Sequence, residues 1–255
     1  MNSLLLILRS VIGQAREAVA TLVGTIRYTL ESPWNFRAIG EHMFLVGNRS
    51  LVFVLLTLGF LGAITSLQAG FQALRIIGDT TIIGQQLLPL LVRQLGPTLV
   101  GLMVATRVGT GIAAEIGSMV VTEQVDALRM CNAPPLDYLV KPRFLACLVM
   151  LPVLVVFGVM AAFLAAMGVA SLVFHTPPRV FANLDFVSLI DVGEGLVKAV
   201  AFGAAIPVIA GAAGLAARGG SEGVGEATTR AVVSASLAVI VLDFVIGGLA
   251  FLVRT

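Results

Sequence analysis

Five long apolar segments divide the chain, and most of the charged residues lie between them. A helix that crosses a bilayer needs about 20 predominantly apolar residues, and each segment is long enough. The pattern therefore predicts an all-α integral membrane protein with five transmembrane helices, at approximately residues 51–70, 87–107, 144–174, 195–217 and 231–253.

Residues 1–48, ahead of the first crossing, form a separate region with a different pattern. Arg9, Arg16 and Arg27 fall within about 20° of one another on a helical wheel, and Leu, Ile and Val occupy much of the remainder. A basic stripe on an apolar helix is typical of an amphipathic helix that lies in the membrane interface. The alternative is a sixth crossing, which would place three costly charges within the bilayer.

Composition supports a membrane protein and argues against several other classes. Hydrophobic residues make up 58% of the chain and charged residues 12%, whereas soluble domains average roughly 45–50% and about 25%. The net charge of +2 gives no indication of a nucleic-acid partner. Cys131 and Cys147 have no metal-ligand spacing. The sequence also has no P-loop, no H-E-x-x-H and no C-x-x-C motif, so it predicts neither an ATPase nor a metalloenzyme.

The distribution of Lys and Arg predicts the orientation in the membrane. Five crossings place residues 1–50, 107–143 and 215–230 on one side, and these hold eleven of the 16 basic residues. An excess of Lys and Arg marks the cytoplasmic side. We therefore expect a cytoplasmic N-terminus and a C-terminus on the opposite side.

The connection at 107–143 concentrates charge in a chain that otherwise avoids it. The spacing predicts a helix over approximately 113–130, which ends before Pro134 and Pro135 because proline cannot continue it. One face of this amphipathic helix is polar, as expected for docking a soluble partner; a merely solvated loop is the alternative. The polar face comprises Glu115, Ser118, Thr122, Glu123, Asp126 and Arg129.

Polar residues inside the predicted crossings are candidates for a functional site, because their desolvation must be offset. Arg93 and Gln94 lie between two prolines, which remove backbone hydrogen bonds and can open a polar site. Asp191, Glu194 and Lys198 share one helical face. For Glu194 and Lys198, a helix-end ion pair is an equally good interpretation. Asp243 is interpreted as a hydrogen-bonding residue inside the bundle rather than a substrate contact.

Two segments resemble the MlaE/YrbE permeases, the membrane subunits of ABC transporters that move phospholipids. The first is LVRQLGPTLVGLMVATRVGTGIAAEIGSMVVTEQVDALRMCNAPPLDYLVKPR, residues 91–143. It is similar to the family pattern R-E-L-G-P, then G-R-x-G-x-x-x-A-E-I-G-x-M-x-x-T-E-Q. The second is EATTRAVVSASLAVIVLDFVIGGLAF, residues 226–251. The resemblance covers nearly the whole chain from about residue 40.

The resemblance implies an ABCG-like exporter fold, a homodimer and a bacterial inner-membrane location. Its partners would be an ATPase that binds ATP and Mg, a periplasmic MCE-domain lipid carrier and a STAS-domain protein, and this chain itself would be non-catalytic and hold no cofactor. The helix at 113–130 would be the coupling helix, with contacts to the ATPase from Glu115, Glu123, Gln124, Asp126 and Arg129. The phospholipid cavity would be lined by Arg93, Gln94, Asp191 and Lys198.

The chain departs from the family pattern at two places. Gln94 replaces the usual glutamate, and Pro134-Pro135 replaces the usual Asp-Pro. The first change removes a negative charge beside Arg93, which makes the predicted cavity more positive and could favour an anionic lipid headgroup.

Two other classes of function remain open from the residues alone. An ion-coupled secondary transporter could use Asp243 and Lys198 as a proton relay, although the chain lacks the evident internal repeats common in such folds. A membrane-embedded lipid-modifying enzyme could use acidic residues at the interface, but the sequence contains no His-rich or metal-ligand set to support it.

Overall fold

Each long apolar segment forms a membrane-length helix, because in lipid the backbone polar groups must be satisfied within the segment itself. The structure, a computed structural model, describes residues 2–76, 78, 83–182 and 187–254, and these contain no strand. We number the five helices that can cross a membrane as spans 1 to 5. Their bounds are Phe36–Ile76, Gly84–Val121, Leu136–Phe174, Leu189–Leu215 and Gly220–Leu252.

Three further helical elements accompany the spans. They are the N-terminal helix Asn2–Glu31, the connecting helix Gln124–Met130 and a single turn at Pro178–Phe181. Successive spans run in opposite directions, so the bundle has two ends. We call them the 122–135 end, which carries the connecting helix, and the 175–188 end.

The predicted all-α fold with five crossings is confirmed, but the helices extend beyond the apolar segments. Span 1 begins at Phe36, fifteen residues before the predicted crossing. The predicted N-terminal region, 1–48, is therefore divided between the N-terminal helix and the first turns of span 1. A short break at 32–35, which includes Pro33, separates the two helices because proline cannot sit inside a helix without loss of a backbone hydrogen bond.

Spans 1 and 3 pack against each other through small residues repeated every fourth position. A methyl group at Gly62 would collide with the Ala162 carbonyl, so the two backbones are in direct contact there. Ser66 adds a hydrogen bond between the spans, from its hydroxyl to the Ala166 carbonyl at 3.0 Å. Close approach through Gly, Ala and Ser is the usual way in which helices associate in lipid. This contact holds spans 1 and 3 together.

The helix predicted over 113–130 is not continuous. Span 2 runs to Val121, and the chain then turns at Glu123, whose φ of 60° lies in the left-handed region. The connecting helix starts at Gln124 and ends at Met130. A left-handed residue cannot be part of a right-handed helix, so the break separates Glu115, within span 2, from the other four residues predicted for coupling.

Much of the charge in the 107–143 stretch forms ion pairs within the chain. Arg143 pairs with Glu115, with 2.8 Å between Nη2 and Oε2, which links spans 2 and 3. The buried Lys141 Nζ lies 2.9 Å from Asp137 Oδ1 and also donates to the backbone carbonyls of Ser32 and Pro33. The second pair attaches the break after the N-terminal helix to the start of span 3.

Candidate functional site

A fully buried lysine lies among apolar helices near the 175–188 end. Lys198 is the tenth residue of span 4, about 14 Å along its axis at 1.5 Å per residue. Its Nζ lies 3.0 Å from Glu194 Oε1 and 3.1 Å from Asp243 Oδ1. It also donates to Gln94 Oε1 at 2.7 Å and to the Arg93 carbonyl at 3.2 Å. We call Lys198, Glu194, Asp243, Gln94 and Thr98 the Lys198 cluster.

Pro97 explains why the Arg93 carbonyl is available to Lys198. A proline has no N–H, so Pro97 cannot donate to the carbonyl four residues earlier, which is that of Arg93. The backbone widens into a π-helical segment at Leu91–Leu95 before the α-helix resumes at Gly96. Such π segments frequently occur at functional sites. The predicted loss of backbone hydrogen bonds between Pro89 and Pro97 therefore has a defined result, a carbonyl that accepts from another helix.

Gln94 connects two of the three charged groups of the cluster, Lys198 and Asp243. Its side-chain oxygen accepts from Lys198, and its Nε2 donates to Asp243 Oδ2 at 2.6 Å. The Thr98 hydroxyl, one turn later, lies 3.0 Å from Asp243 Oδ1 and 2.7 Å from the Gln94 backbone carbonyl, so its single hydrogen is shared between these two acceptors. An amide can satisfy an ammonium and a carboxylate at once because it carries both an acceptor and a donor. A glutamate at this position would instead set two carboxylates against each other.

Spans 2, 4 and 5 each contribute to the cluster, and its formal charge is negative. One lysine faces two carboxylates, and the three hydrogens of its ammonium are shared among four acceptors. Gly247 lies one turn after Asp243, and a Cβ there would be at van der Waals distance from the lysine, 3.4 Å from Nζ. Arg93 is half-buried, and it contacts the cluster through its backbone carbonyl. Because Lys198 Nζ has more acceptors than hydrogens, an acceptor of a polar ligand can replace one of them.

Asp191, which the resemblance assigns to the lipid cavity, lies at the start of span 4, and its role in the cavity stays a prediction. It belongs to a capping box at the first turn of span 4, where its carboxylate accepts from the Ser188 backbone N–H at 3.0 Å and its own N–H donates to Ser188 Oγ. This is the usual arrangement that satisfies free N–H groups at a helix start. Seven residues, or about 10 Å, separate it from Lys198 along the helix. The acidic partners of Lys198 are Glu194 and Asp243.

The connecting helix forms a second charged region, at the opposite end of the bundle. Buried Val125 anchors it against the core, whereas Glu123, Gln124 and Asp126 are exposed. Asp126 and Arg129 form an exposed ion pair with 2.8 Å between Oδ1 and Nη1. The helix therefore presents polar and acidic groups to the surroundings, while Val125 and the partly buried Leu128 pack against the core.

Of the Lys198 cluster, Thr98 was not among the residues considered from the sequence. Asp243 was interpreted as an internal hydrogen-bonding residue, and for Glu194 a site role and a helix-end pair were equally good interpretations. An available signal was the four-residue spacing from Gln94 to Thr98, which places both on one face of span 2. The pairing of Asp243 with Lys198 joins residues 45 positions apart and has no local signal.

Among the described residues, no group of three or more His, Cys, Asp or Glu side chains is placed to hold a metal ion. The polar groups of the Lys198 cluster bond to one another instead.

The fold and the buried cluster define a multi-pass helical membrane protein with a polar site between its spans. A family model described as "Permease MlaE" matches residues 39–249. A probable ABC transporter permease protein of Synechocystis is 39% identical over 226 residues, which cover 88% of this chain and 86% of that protein. The corresponding protein of Rickettsia typhi is 37% identical over 226 residues, covering 87% and 86%. That of the alga Pyropia yezoensis is 33% identical over 214 residues, covering 83% and 81%.

The chain belongs to the MlaE permease family, which confirms the resemblance seen in the sequence. It is a permease subunit of an ABC transporter, and transporters of this kind require an ATPase partner.

Proposed function

We propose that the chain is the non-catalytic membrane subunit of an ATP-driven transporter that moves phospholipids between the bacterial inner membrane and a periplasmic MCE-domain carrier. Family membership and the buried Lys198 cluster support this proposal. Lys198 has no exposed surface, and burying its charge in an apolar bundle costs desolvation free energy even with Glu194 and Asp243 as partners. A charged residue retained at such a cost indicates a function. ATP and Mg are bound by the partner ATPase, and a STAS-domain protein completes the assembly.

In this proposal the Lys198 cluster binds the lipid headgroup. Opening of the helices allows a phosphate oxygen to replace one of the four acceptors around Lys198, while the half-buried Arg93 supplies a second cation. Gln94 then sets headgroup preference, because glutamate at this position would add a negative charge. Lipid bound to purified wild type and Gln94→Glu is compared by mass spectrometry. We expect fewer anionic lipids on the variant, and an unchanged headgroup ratio would contradict this role.

Transport is tested by reconstitution with the ATPase in liposomes, following a labelled phospholipid in both directions. We expect ATP-dependent movement that Lys198→Met abolishes and that continues without a proton gradient. Movement that needs the gradient and no ATP would support the ion-coupled alternative, which the buried Lys198–Asp243 pair would serve as a relay.

The exposed face of the connecting helix is proposed to dock on the ATPase from the cytoplasm. We expect Glu123→Lys with Asp126→Lys to prevent co-purification of the ATPase, because the acidic face becomes basic. Glu31→Lys with Glu41→Lys is the matched control: it reverses two exposed carboxylates elsewhere, whose side chains are 58% and 64% exposed. Equal ATPase recovery from both variants would contradict docking through this helix.

The transporter is proposed to contain two copies of the chain. Span 5 supports this, because only 17% of its most apolar window is buried within one chain. Large side chains such as Phe244, next to Asp243 in the chain, are exposed and available to a second copy or to lipid. Light scattering of the purified protein should give a protein mass of twice 26.6 kDa. A mass of one chain in several detergents would contradict the dimer.

A further inference from the structure

A cavity with several charged and polar residues in its lining lies near the 122–135 end, away from the Lys198 cluster. Its volume is about 310 Å³, and it is formed between spans 1, 2 and 3. Its basic and polar lining residues are Arg49, Arg107, Arg143, His42, Ser50 and Glu115. We call it the arginine cavity.

Two buried polar atoms of the arginine cavity have no partner. Ser50 is 2% exposed and Arg143 4% exposed, yet the Ser50 hydroxyl and the Arg143 Nε have no hydrogen bond. Buried polar groups are nearly always hydrogen-bonded, so an unpaired one points to a water, ion or ligand. The Arg143 Nε can only donate, so its missing partner is an acceptor, and the Ser50 hydroxyl can donate to the same acceptor.

The charge of the cavity selects an anionic acceptor. Three arginines face one glutamate, and that glutamate already pairs with Arg143. Arg49 and Arg107 are exposed and have no carboxylate within ion-pair distance among the residues that the structure describes. Arginine is well suited to phosphate because its planar fork can donate two parallel hydrogen bonds.

The position of the cavity identifies the source of the anion. The uncharged apolar segments of spans 1 and 3 begin directly after Arg49 and Arg143, so the arginines stand at the boundary of the apolar zone. Lipid phosphates lie at this level, and basic pockets between helices bind their headgroups. The rest of the lining is apolar, with Leu45, Val108 and Ile112, as an adjoining glycerol and acyl chain require.

We infer that the arginine cavity binds the phosphate of an anionic phospholipid from the leaflet at the 122–135 end. The site is separate from the proposed transport site and shares no residue with the Lys198 cluster. The phosphate contacts Arg49 and Arg107 and supplies acceptors for Ser50 and Arg143. Because Arg107 and Arg143 belong to spans 2 and 3, the bound lipid links the two helices that flank the connecting helix.

The inference is tested with phosphatidylglycerol that carries a diazirine on its headgroup, added to the purified full-length protein in nanodiscs. After illumination, peptides are mapped by mass spectrometry. We expect labels within residues 42–50 and 107–115, and more of them than with a phosphatidylcholine that carries the same group. Labels confined to other regions, or equal labelling by both lipids, would overturn the inference.

Variants assign the labelling to named residues. Arg49→Gln with Arg107→Gln should lower it about fivefold or more, since two charge-assisted contacts are lost. The matched control, Arg27→Gln with Arg37→Gln, removes two exposed arginines outside the cavity and should change it less than about twofold. Equal losses in both variants would overturn the site.

Two further measurements separate binding from folding and lipid from free phosphate. Ser50→Ala removes a hydroxyl that has no partner, so it should leave stability unchanged and still lower labelling about threefold. Millimolar inorganic phosphate should leave the labelling intact, and its loss would overturn the assignment to a lipid. In the Lys198→Met variant, the phosphatidylglycerol probe should label residues 42–50 as strongly as in the wild type, whether or not transport fails. The arginine cavity and the proposed transport site are thus tested independently.

Discussion

The Lys198 cluster and the connecting helix use the same kinds of residue in opposite environments. Lys198 has no exposed side-chain surface, and its partners Glu194 and Asp243 are 5% and 11% exposed. On the connecting helix, the side chains of Arg129 and Asp126 are 60% and 63% exposed. The Lys198 cluster is enclosed by three spans. The connecting helix is a seven-residue helix that lies between the ends of two spans.

The difference in burial determines what each set contributes. Breaking a buried ion pair leaves an uncompensated charge, so the loss is large even where the pair itself adds little to stability. An exposed pair is screened by water and adds about 0–1 kcal/mol. Substitutions in the Lys198 cluster should therefore change the free energy of unfolding. Substitutions on the connecting helix should change the binding of a partner and leave the free energy of unfolding nearly unchanged.

The largest effect is expected for Lys198→Met, which leaves two carboxylates buried together. The free energy of unfolding should fall by about 3–5 kcal/mol. It can be measured by denaturant titration followed through thiol labelling, since Cys147 is buried and Cys131 already exposed. Adding Glu194→Gln and Asp243→Asn should restore most of the loss. A triple variant no more stable than Lys198→Met would show that repulsion between the carboxylates is not the cause.

Gln94→Glu is expected to have the next largest effect. The amide that now donates to Asp243 would become a carboxylate facing it, so stability should fall by about 1–3 kcal/mol. Gln86→Glu, at an exposed position of the same span, is the control and should be nearly neutral. Comparable losses at both positions would mean that any new charge in span 2 is destabilising.

Thr98→Val tests how much one uncharged contact of the Lys198 cluster contributes to stability. It removes one of the hydrogen bonds to Asp243 without changing charge, and the cost should be about 1 kcal/mol. The same substitution at exposed Thr106, whose hydroxyl donates to the Met103 carbonyl of its own span, should cost less. The same titration measures both, and a larger cost at Thr106 would count against the importance of the Asp243 contact.

The smallest effect on stability is expected on the connecting helix. Arg129→Gln breaks the exposed pair with Asp126, and the free energy of unfolding should change by less than about 0.5 kcal/mol. Added salt should make little difference to the variant, because the pair it would screen is already absent. A loss above about 1 kcal/mol would show that this pair is structural and would weaken the contrast with the Lys198 cluster.

The structure of the charged stretch at 107–143 was predicted from the sequence only in part. Its amphipathic spacing indicated a helix with a polar face, and the connecting helix does present Glu123, Gln124, Asp126 and Arg129 together. The break at Glu123 was not predicted, because a left-handed glutamate has no signature in the sequence. Glu115 then lies in a different helix, where it pairs with Arg143.

The Lys198 cluster was likewise predicted only in part. Arg93, Gln94 and Lys198 stood out because polar residues interrupt apolar segments and prolines flank two of them. Asp191 satisfied the same spacing rule and forms a helix cap about two turns before Lys198. A sequence shows that a polar residue will be buried, but its partner depends on which spans become neighbours.

The sequence by itself determined the membrane class, the five spans and the family. These follow from the length and composition of local segments and from two motifs, and neither requires knowledge of how the helices pack. Only the tertiary structure decided that Asp243 completes the Lys198 cluster, and that the Ser50 hydroxyl and the Arg143 Nε are left without a hydrogen bond near Arg49 and Arg107. Those arrangements join spans far apart in the chain, and small-residue contacts such as Gly62 against Ala162 set which spans meet.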